Sequence, residues 1–139
     1  MMSNTHNNIP SEYFEACCFV DWLELMKMQG KIIDYCHIAN ESYGGTRADM
    51  LRGVKLKRMG RKRGVFDYQI FVNKKAEDYS DKSPTNICGK IICVELKKIK
   101  GGKVSEEQIW WKALYQHCGI PAKVCHGADE AIRFVERYL

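Results

Sequence analysis

The sequence lacks the long hydrophobic run that a membrane-spanning helix needs. Its longest unbroken apolar stretch is residues 16–20, whereas a spanning helix takes about 20 such residues. Residues 1–10 are polar and contain no basic segment followed by an apolar one, unlike a secretion signal. We therefore expect a flexible N-terminus at residues 1–10 and a protein that acts in the cytoplasm.

The sequence also lacks a disulfide framework. Its seven cysteines are an odd number, and no two of them form a CxxC pair. Most lie inside apolar segments, where a free thiol behaves as a small hydrophobic group. This cysteine usage favours a reducing compartment over an oxidising one.

Internal repeats and long Pro-, Gly- or Ser-rich linkers are missing as well. The length of 139 residues is enough for one domain, because a domain takes about 100–200 residues. A hydrophobic fraction of 45% supplies a core and excludes global disorder. We predict a single domain at residues 11–139.

Positive charge is abundant but unevenly distributed. Residues 52–63 contain no acid and seven basic side chains, while the whole chain has a net charge of +5. The rest of the chain therefore has a net charge of −2, seven below the total. A concentrated basic patch on a near-neutral domain is typical of proteins that bind polyanions, although a solvated helix face has the same pattern. A second basic cluster, which favours a phosphate-binding surface, contains Lys97, Lys98, Lys100 and Lys103.

Hydrophobic periodicity and capping signals predict alternating helices and strands. The predicted order is helix, strand, helix, strand, strand, helix, strand, helix, at residues 11–28, 31–38, 46–60, 67–72, 90–96, 105–119, 122–125 and 128–139. A polar loop is predicted at 73–86. The run 90–96 is apolar on both faces, which favours a central strand. This alternation predicts an α/β fold with a small mixed β-sheet flanked by helices.

In the first predicted helix, four apolar side chains recur at helical spacing. They form the expected buried stripe, namely Phe14, Cys18, Trp22 and Leu25.

Asp67, Glu95 and Lys97 are the residues most suited to catalysis. Asp67 begins one predicted strand, and Glu95 and Lys97 lie two apart near the end of the next. Because side chains alternate along a strand, Glu95 and Lys97 project from the same face. If the two strands pair as a hairpin, Asp67 and Glu95 converge within reach of a divalent cation, for which carboxylates suit Mg²⁺ or Mn²⁺. Glu12 on the first helix could supply a third carboxylate.

Each of these residues also has a purely structural interpretation. Asp67 could be a turn residue after Gly64, and Glu95 and Lys97 could be an ordinary exposed pair. Glu12 could complement the helix dipole. Gln108 fits an S-x-x-Q capping box with Ser105. Spacing alone leaves these alternatives open.

At these residues the sequence resembles the VRR-NUC family of virus-type replication and repair nucleases, within the PD-(D/E)XK superfamily. The resemblance runs over nearly the whole chain, and its order and spacing are more specific than any one motif. The matching stretches are Glu12 ten residues before Trp22, residues 37–41, 57–60, 64–67, 94–97 and 101–105, then Gln108, Trp111 and residues 124–132. The last stretch is similar to the ending of phage members that consist of this domain alone.

The resemblance implies a restriction-endonuclease-like fold and a role for each matched residue. Asp67, Glu95 and the Leu96 carbonyl would bind Mg²⁺ or Mn²⁺, with Glu12 as the helix acid, while Lys97 would be the catalytic lysine and Gln108 an additional active-site residue. Glu15 competes with Glu12 for the helix role, and the spacing to Trp22 favours Glu12. The sequence departs from the family at Phe66 and Ala39, where prolines are frequent, which puts strand-entry geometry and substrate preference in doubt.

The leading hypothesis is therefore a metal-dependent, structure-selective DNA endonuclease. Small stand-alone members resemble symmetric dimers that cut branched DNA such as four-way (Holliday) junctions, and two incisions suit a two-fold dimer. The expected DNA-binding residues are Lys57, Arg58, Arg61, Lys62, Arg63, Lys98 and Lys100. The alternatives are a general nickase or flap nuclease, and a DNA-binding module without catalysis.

Overall fold

A computed structural model describes residues 9–40, 44–73 and 89–139. Within them the elements follow the predicted order: α1 (Glu12–Met28), β1 (Asp34–His37), α2 (Arg47–Arg58), β2 (Tyr68–Asn73), β3 (Gly89–Lys97), α3 (Glu106–His117), β4 (Ala122–His126) and α4 (Ala128–Glu136). Most of the predicted N-terminal segment (1–8) and of the predicted loop (74–86) lies outside the described residues. Asn73, assigned to that loop from sequence, instead ends β2.

The sheet is mixed, as predicted. Its strand order is β1-β2-β3-β4, with antiparallel pairing of β1 with β2 and of β2 with β3 and parallel pairing of β3 with β4. The strand β3 has neighbours on both sides, and its residues 92–96 are buried. The interpretation of this run as a central strand is therefore confirmed.

Hydrophobic side chains are buried on both faces of the sheet. On one face, Ile92, Val94 and Leu96 of β3 pack with side chains of α1 and α4. On the other face, Cys93 packs with Phe66, with Tyr115 of α3 and with Ala122. Because side chains alternate along a strand, Glu95 and Lys97 share a face with Cys93 and project toward α3.

The buried face of α1 differs from the predicted stripe. Phe14 and Leu25 are 55% and 47% exposed, and the buried side chains are Glu15, Phe19, Leu23 and Met26. Cys18 and Trp22 are only partly buried against this core. The prediction was wrong because an acid, Glu15, occupies one buried position and interrupts the apolar pattern.

Caps fix the helix starts where the sequence predicted them. Ser11 Oγ accepts a hydrogen bond from the Phe14 amide at 3.1 Å, and Thr46 Oγ1 accepts one from the Asp49 amide at 3.2 Å. Ser105 and Gln108 form the predicted capping box of α3. Among the described residues, no helix is both long and apolar enough to cross a membrane.

Candidate active site

The pairing of β2 with β3 brings the two candidate carboxylates together. In this antiparallel register Tyr68 lies opposite Val94, so one further residue sets Asp67 opposite Glu95. The Asp67 amide donates a hydrogen bond to Glu95 Oε2 at 3.2 Å, and the Leu96 amide donates one to Asp67 Oδ2 at 3.1 Å. The convergence expected from a hairpin is therefore present in the structure.

Glu95 is a buried carboxylate surrounded by donors. Its side chain is only 3% exposed, and its Oε1 lies 3.0 Å from Lys97 Nζ. The Gln108 side-chain amide donates a short hydrogen bond to the same oxygen. Glu95 and Lys97 are thus a buried ion pair rather than an ordinary exposed one, since Lys97 is only 14% exposed.

Gln108 combines the structural and the functional interpretation. Its Oε1 accepts a hydrogen bond from the Ser105 amide at 3.0 Å, which closes the capping box. Its Nε2 meanwhile donates to Glu95. The cap therefore holds the amide group in the orientation in which it contacts the carboxylate.

Burial makes both carboxylates costly to ionise. Desolvation, followed by the charge of Asp67, raises the pKa of Glu95 to about 7, against the opposing effect of Lys97. Desolvation also raises the pKa of Asp67, although the Leu96 amide and the charges of His37 and Lys97 oppose the shift. Two desolvated acids that repel each other are an arrangement that a bound cation would relieve.

These residues line an open cleft of about 610 Å³. Glu12 lines it from α1, Gln108 lines it from α3, and Asp67, Glu95 and Lys97 line it as well. The charge of Glu12 contributes to the raised pKa of Asp67. All five candidate catalytic residues therefore face one space.

Glu15, the competitor of Glu12, has a different position. Its side chain is 7% exposed, and its Oε2 accepts a hydrogen bond from the Ala128 amide at 2.8 Å. The N-cap of α4 is Gly127, which has no side chain to cap the helix. Glu15 thus supplies the cap and a favourable negative charge at the start of α4, which leaves Glu12 as the acid of α1 in the cleft.

The turn before Asp67 packs tightly against α3. Gly64 has a φ of +81°, and a Cβ at this position would lie 2.5 Å from the Glu107 carbonyl carbon. Asn40 holds the same turn from the other side, since its Nδ2 donates to the Val65 carbonyl at 3.4 Å and its Oδ1 accepts from Arg61 Nε at 3.3 Å. This packing fixes the basic turn beside the carboxylates.

Comparisons with known proteins bear on the fold. No protein-family profile matches the sequence, and no curated protein matches it. A solved structure described as a VRR_NUC domain protein superposes with a TM-score of 0.65 at 20% sequence identity, over 94% of this chain and 88% of that one. The chain has the fold of a VRR-NUC domain. The resemblance noted in the sequence is therefore confirmed at the level of the fold.

The donor atoms of this cleft fit a hard divalent cation. Asp67 and Glu95 provide carboxylate oxygens. The Leu96 amide points toward Asp67, and its carbonyl points the same way, because the N–H and C=O of one strand residue share a side. Within residues 9–40, 44–73 and 89–139, no three His, Cys, Asp or Glu side chains group closely enough to hold an ion alone. Two carboxylates and a carbonyl suit Mg²⁺, which keeps several waters, and Glu12 as a ligand stays a prediction.

The predicted DNA-binding residues occupy different parts of the VRR-NUC fold. Arg61 and Arg63 line the cleft, and Lys62 lies just outside it, in a neighbouring groove. The others are exposed and do not line the cleft, namely Lys57, Arg58, Lys98 and Lys100. The sequence could not separate the seven predicted DNA-binding residues, because a run of basic residues does not show how far each side chain lies from the carboxylates.

Two further cleft residues were not singled out as site residues by sequence reasoning. His37 ends β1 opposite Tyr68, and its charge lowers the pKa of Asp67. Asn40 holds the turn described above. Both fall within the HIANE stretch at 37–41 that contributed to the resemblance, and that stretch was the available signal.

Proposed function

We propose that this protein is a Mg²⁺- or Mn²⁺-dependent endodeoxyribonuclease that hydrolyses phosphodiester bonds. One observation carries the proposal: Asp67, Glu95 and Lys97 share a cleft that Arg61 and Arg63 also line. Carboxylates suit a divalent cation, and arginines suit phosphate. A cleft with both is suited to a polyanion that must be held while one of its bonds is broken.

Each side chain has a defined part in this chemistry. A bound divalent cation would polarise the phosphate and lower the pKa of an attacking water. Asp67 and Glu95 would hold it, and Gln108 keeps the Glu95 carboxylate in place. The Lys97 ammonium, 3.0 Å from Glu95, is placed to orient the attacking water and to offset negative charge that develops on the phosphate. Arg61 and Arg63 would bind flanking phosphates.

The substrate class rests on the resemblance to small stand-alone members of the VRR-NUC family. We propose branched DNA such as four-way junctions as the preferred substrate, duplex DNA as a weaker one, and the cytoplasm as the place of action, the host's if the gene is a phage's. Two symmetric incisions suit a homodimer, which presents two sites related by symmetry. The helix α2 supports this assembly because none of its residues is buried, while Met50, Leu51 and Val54 are all more than half exposed.

The test is cleavage of labelled DNA by single variants. Asp67→Ala, Glu95→Ala and Lys97→Ala should each abolish cleavage in Mg²⁺ or Mn²⁺ while leaving DNA binding largely intact, because the seven basic side chains expected to bind DNA remain in all three variants. Lys31→Ala, at an exposed lysine outside the cleft, is the matched control and should cut normally.

The outcomes separate the competing functions. Full activity in a clean Glu95→Ala preparation would refute the assignment of the site. Metal-dependent binding without cleavage of any substrate would identify a DNA-binding module. Equal cutting of four-way junction, flap and nicked duplex would identify a less selective nickase or flap nuclease.

A further inference from the structure

A second groove, of about 430 Å³, lies beside the catalytic cleft. It is lined by Lys62, Arg63, Glu107, Trp110 and Trp111. Trp110 is 60% exposed, which is unusual for the largest apolar side chain. A groove that combines two aromatic rings with charged side chains has the lining typical of a ligand-binding site.

The groove is held in shape by its own contacts. The Trp111 indole N–H donates a hydrogen bond to the Arg63 carbonyl at 2.8 Å. The rings of Trp110 and Trp111 meet edge to face with centroids 5.4 Å apart. The close approach of Gly64 to Glu107 fixes the basic turn against the same helix. These contacts therefore hold the groove, and with it the exposed face of Trp110, in a fixed shape.

The groove and the cleft are continuous. Arg63 and Glu107 line both of them, so a strand held at Asp67 and Glu95 can extend into the groove. Lys62 and Arg63 supply positive charge at its edge. An exposed aromatic ring beside cations matches a nucleotide, because the base stacks on the ring while its phosphate pairs with the cations.

We propose that this groove binds an unpaired nucleotide of the DNA substrate, with its base stacked on Trp110, next to the phosphate that is cleaved. The proposal rests on the proposed nuclease function and narrows its substrate to DNA with unstacked bases at the cut. A base within a continuous duplex is stacked between its neighbours and would have to leave them to reach Trp110.

The test compares binding of two DNA probes in EDTA at fixed salt, by fluorescence anisotropy. One probe is a duplex with a single-stranded arm, and the other is a fully paired duplex of equal length. Trp110→Ala should weaken binding of the armed probe by roughly 5- to 150-fold, the range for losing one stacked base, and that of the duplex by less than about twofold. Trp110→Phe should restore most of the affinity. Ile109→Ala, at a neighbouring side chain that is also 59% exposed, should bind as the wild type does.

Four results would overturn the groove assignment. The first two are equal weakening on both probes and no weakening on either. The third is conversion of a wild-type dimer into a monomer by Trp110→Ala, which would show that a second copy covers the groove. The fourth is absence of wild-type binding to the armed probe. Cleavage by the wild type in Mg²⁺ is measured separately and tests the proposed function. If Trp110→Ala selectively loses binding to the armed probe but the wild type cuts no DNA, the groove assignment stands and the nuclease function is refuted.

Discussion

The buried carboxylate of Glu95 should make the protein less stable as the pH rises when no divalent cation is bound. The informative perturbation is Glu95→Gln, which removes the titration while keeping the size of the side chain. Every described partner of Glu95 is a donor, namely Lys97, Gln108 and the Asp67 amide. The NH₂ group of the Gln side chain in the variant is itself a donor, and it must face at least one of these donors. The resulting loss of folding stability is the same at every pH.

The size of the effect follows from the change in pKa. The carboxyl group has its ordinary pKa of 4.5 when unfolded and a pKa of about 7 when folded. Between these values the native state binds more protons than the unfolded state, so the free energy of unfolding falls as pH rises and levels off above about pH 7. At 1.36 kcal/mol per unit, the loss is on the order of 3 kcal/mol.

The assay is urea unfolding of wild type and Glu95→Gln from pH 4 to pH 8 without divalent cations. The difference between the two free energies of unfolding should change by about 3 kcal/mol across this range, whatever its constant offset. Glu107→Gln, at an exposed acid of the same cleft, should run parallel to the wild type. If the free energy of unfolding of Glu95→Gln had the same pH dependence as that of the wild type, the Glu95 carboxylate would not be desolvated and this explanation would be refuted.

Two further predictions concern the turn at residues 61–64. Gly64→Ala should destabilise the fold by about 2 kcal/mol or more, because its Cβ would meet the α3 backbone at a φ of +81°; thermal unfolding checks this, and Gly30→Ala, with φ +70° and open space, should cost clearly less. Replacing Arg61, Lys62 and Arg63 by Gln should make the negative slope of log affinity against log salt concentration shallower by about 2.7 if each contacts a phosphate. An unchanged slope in a binding titration would mean that this turn faces away from DNA.

The convergence of Asp67, Glu95 and Lys97 could be predicted because it depends on local rules. Alternation along β3 places Glu95 and Lys97 on one face, and a hairpin register then determines which residue faces Glu95. The Ser105–Gln108 capping box is equally local. The sequence did not reveal that its amide also contacts Glu95, because that contact joins a helix to a strand through tertiary packing.

The errors arose where a polar residue is buried. The face of α1 was misassigned because Glu15 lies in the core, where it caps α4 across 113 positions of sequence. A helical pattern contains no information about a partner so distant. His37 and Asn40 were passed over for a related reason, since their importance depends on β1 lying beside β2.

The most direct test of the central claim is calorimetric titration of Mn²⁺ into the wild type and Asp67→Asn, with Glu107→Gln as the control. If Asp67 and Glu95 share a cation, the wild type and the control should bind Mn²⁺ alike, and Asp67→Asn should bind at least tenfold more weakly. Equal binding by all three proteins, or no wild-type binding at millimolar Mn²⁺, would contradict the claim that these two carboxylates form a metal site.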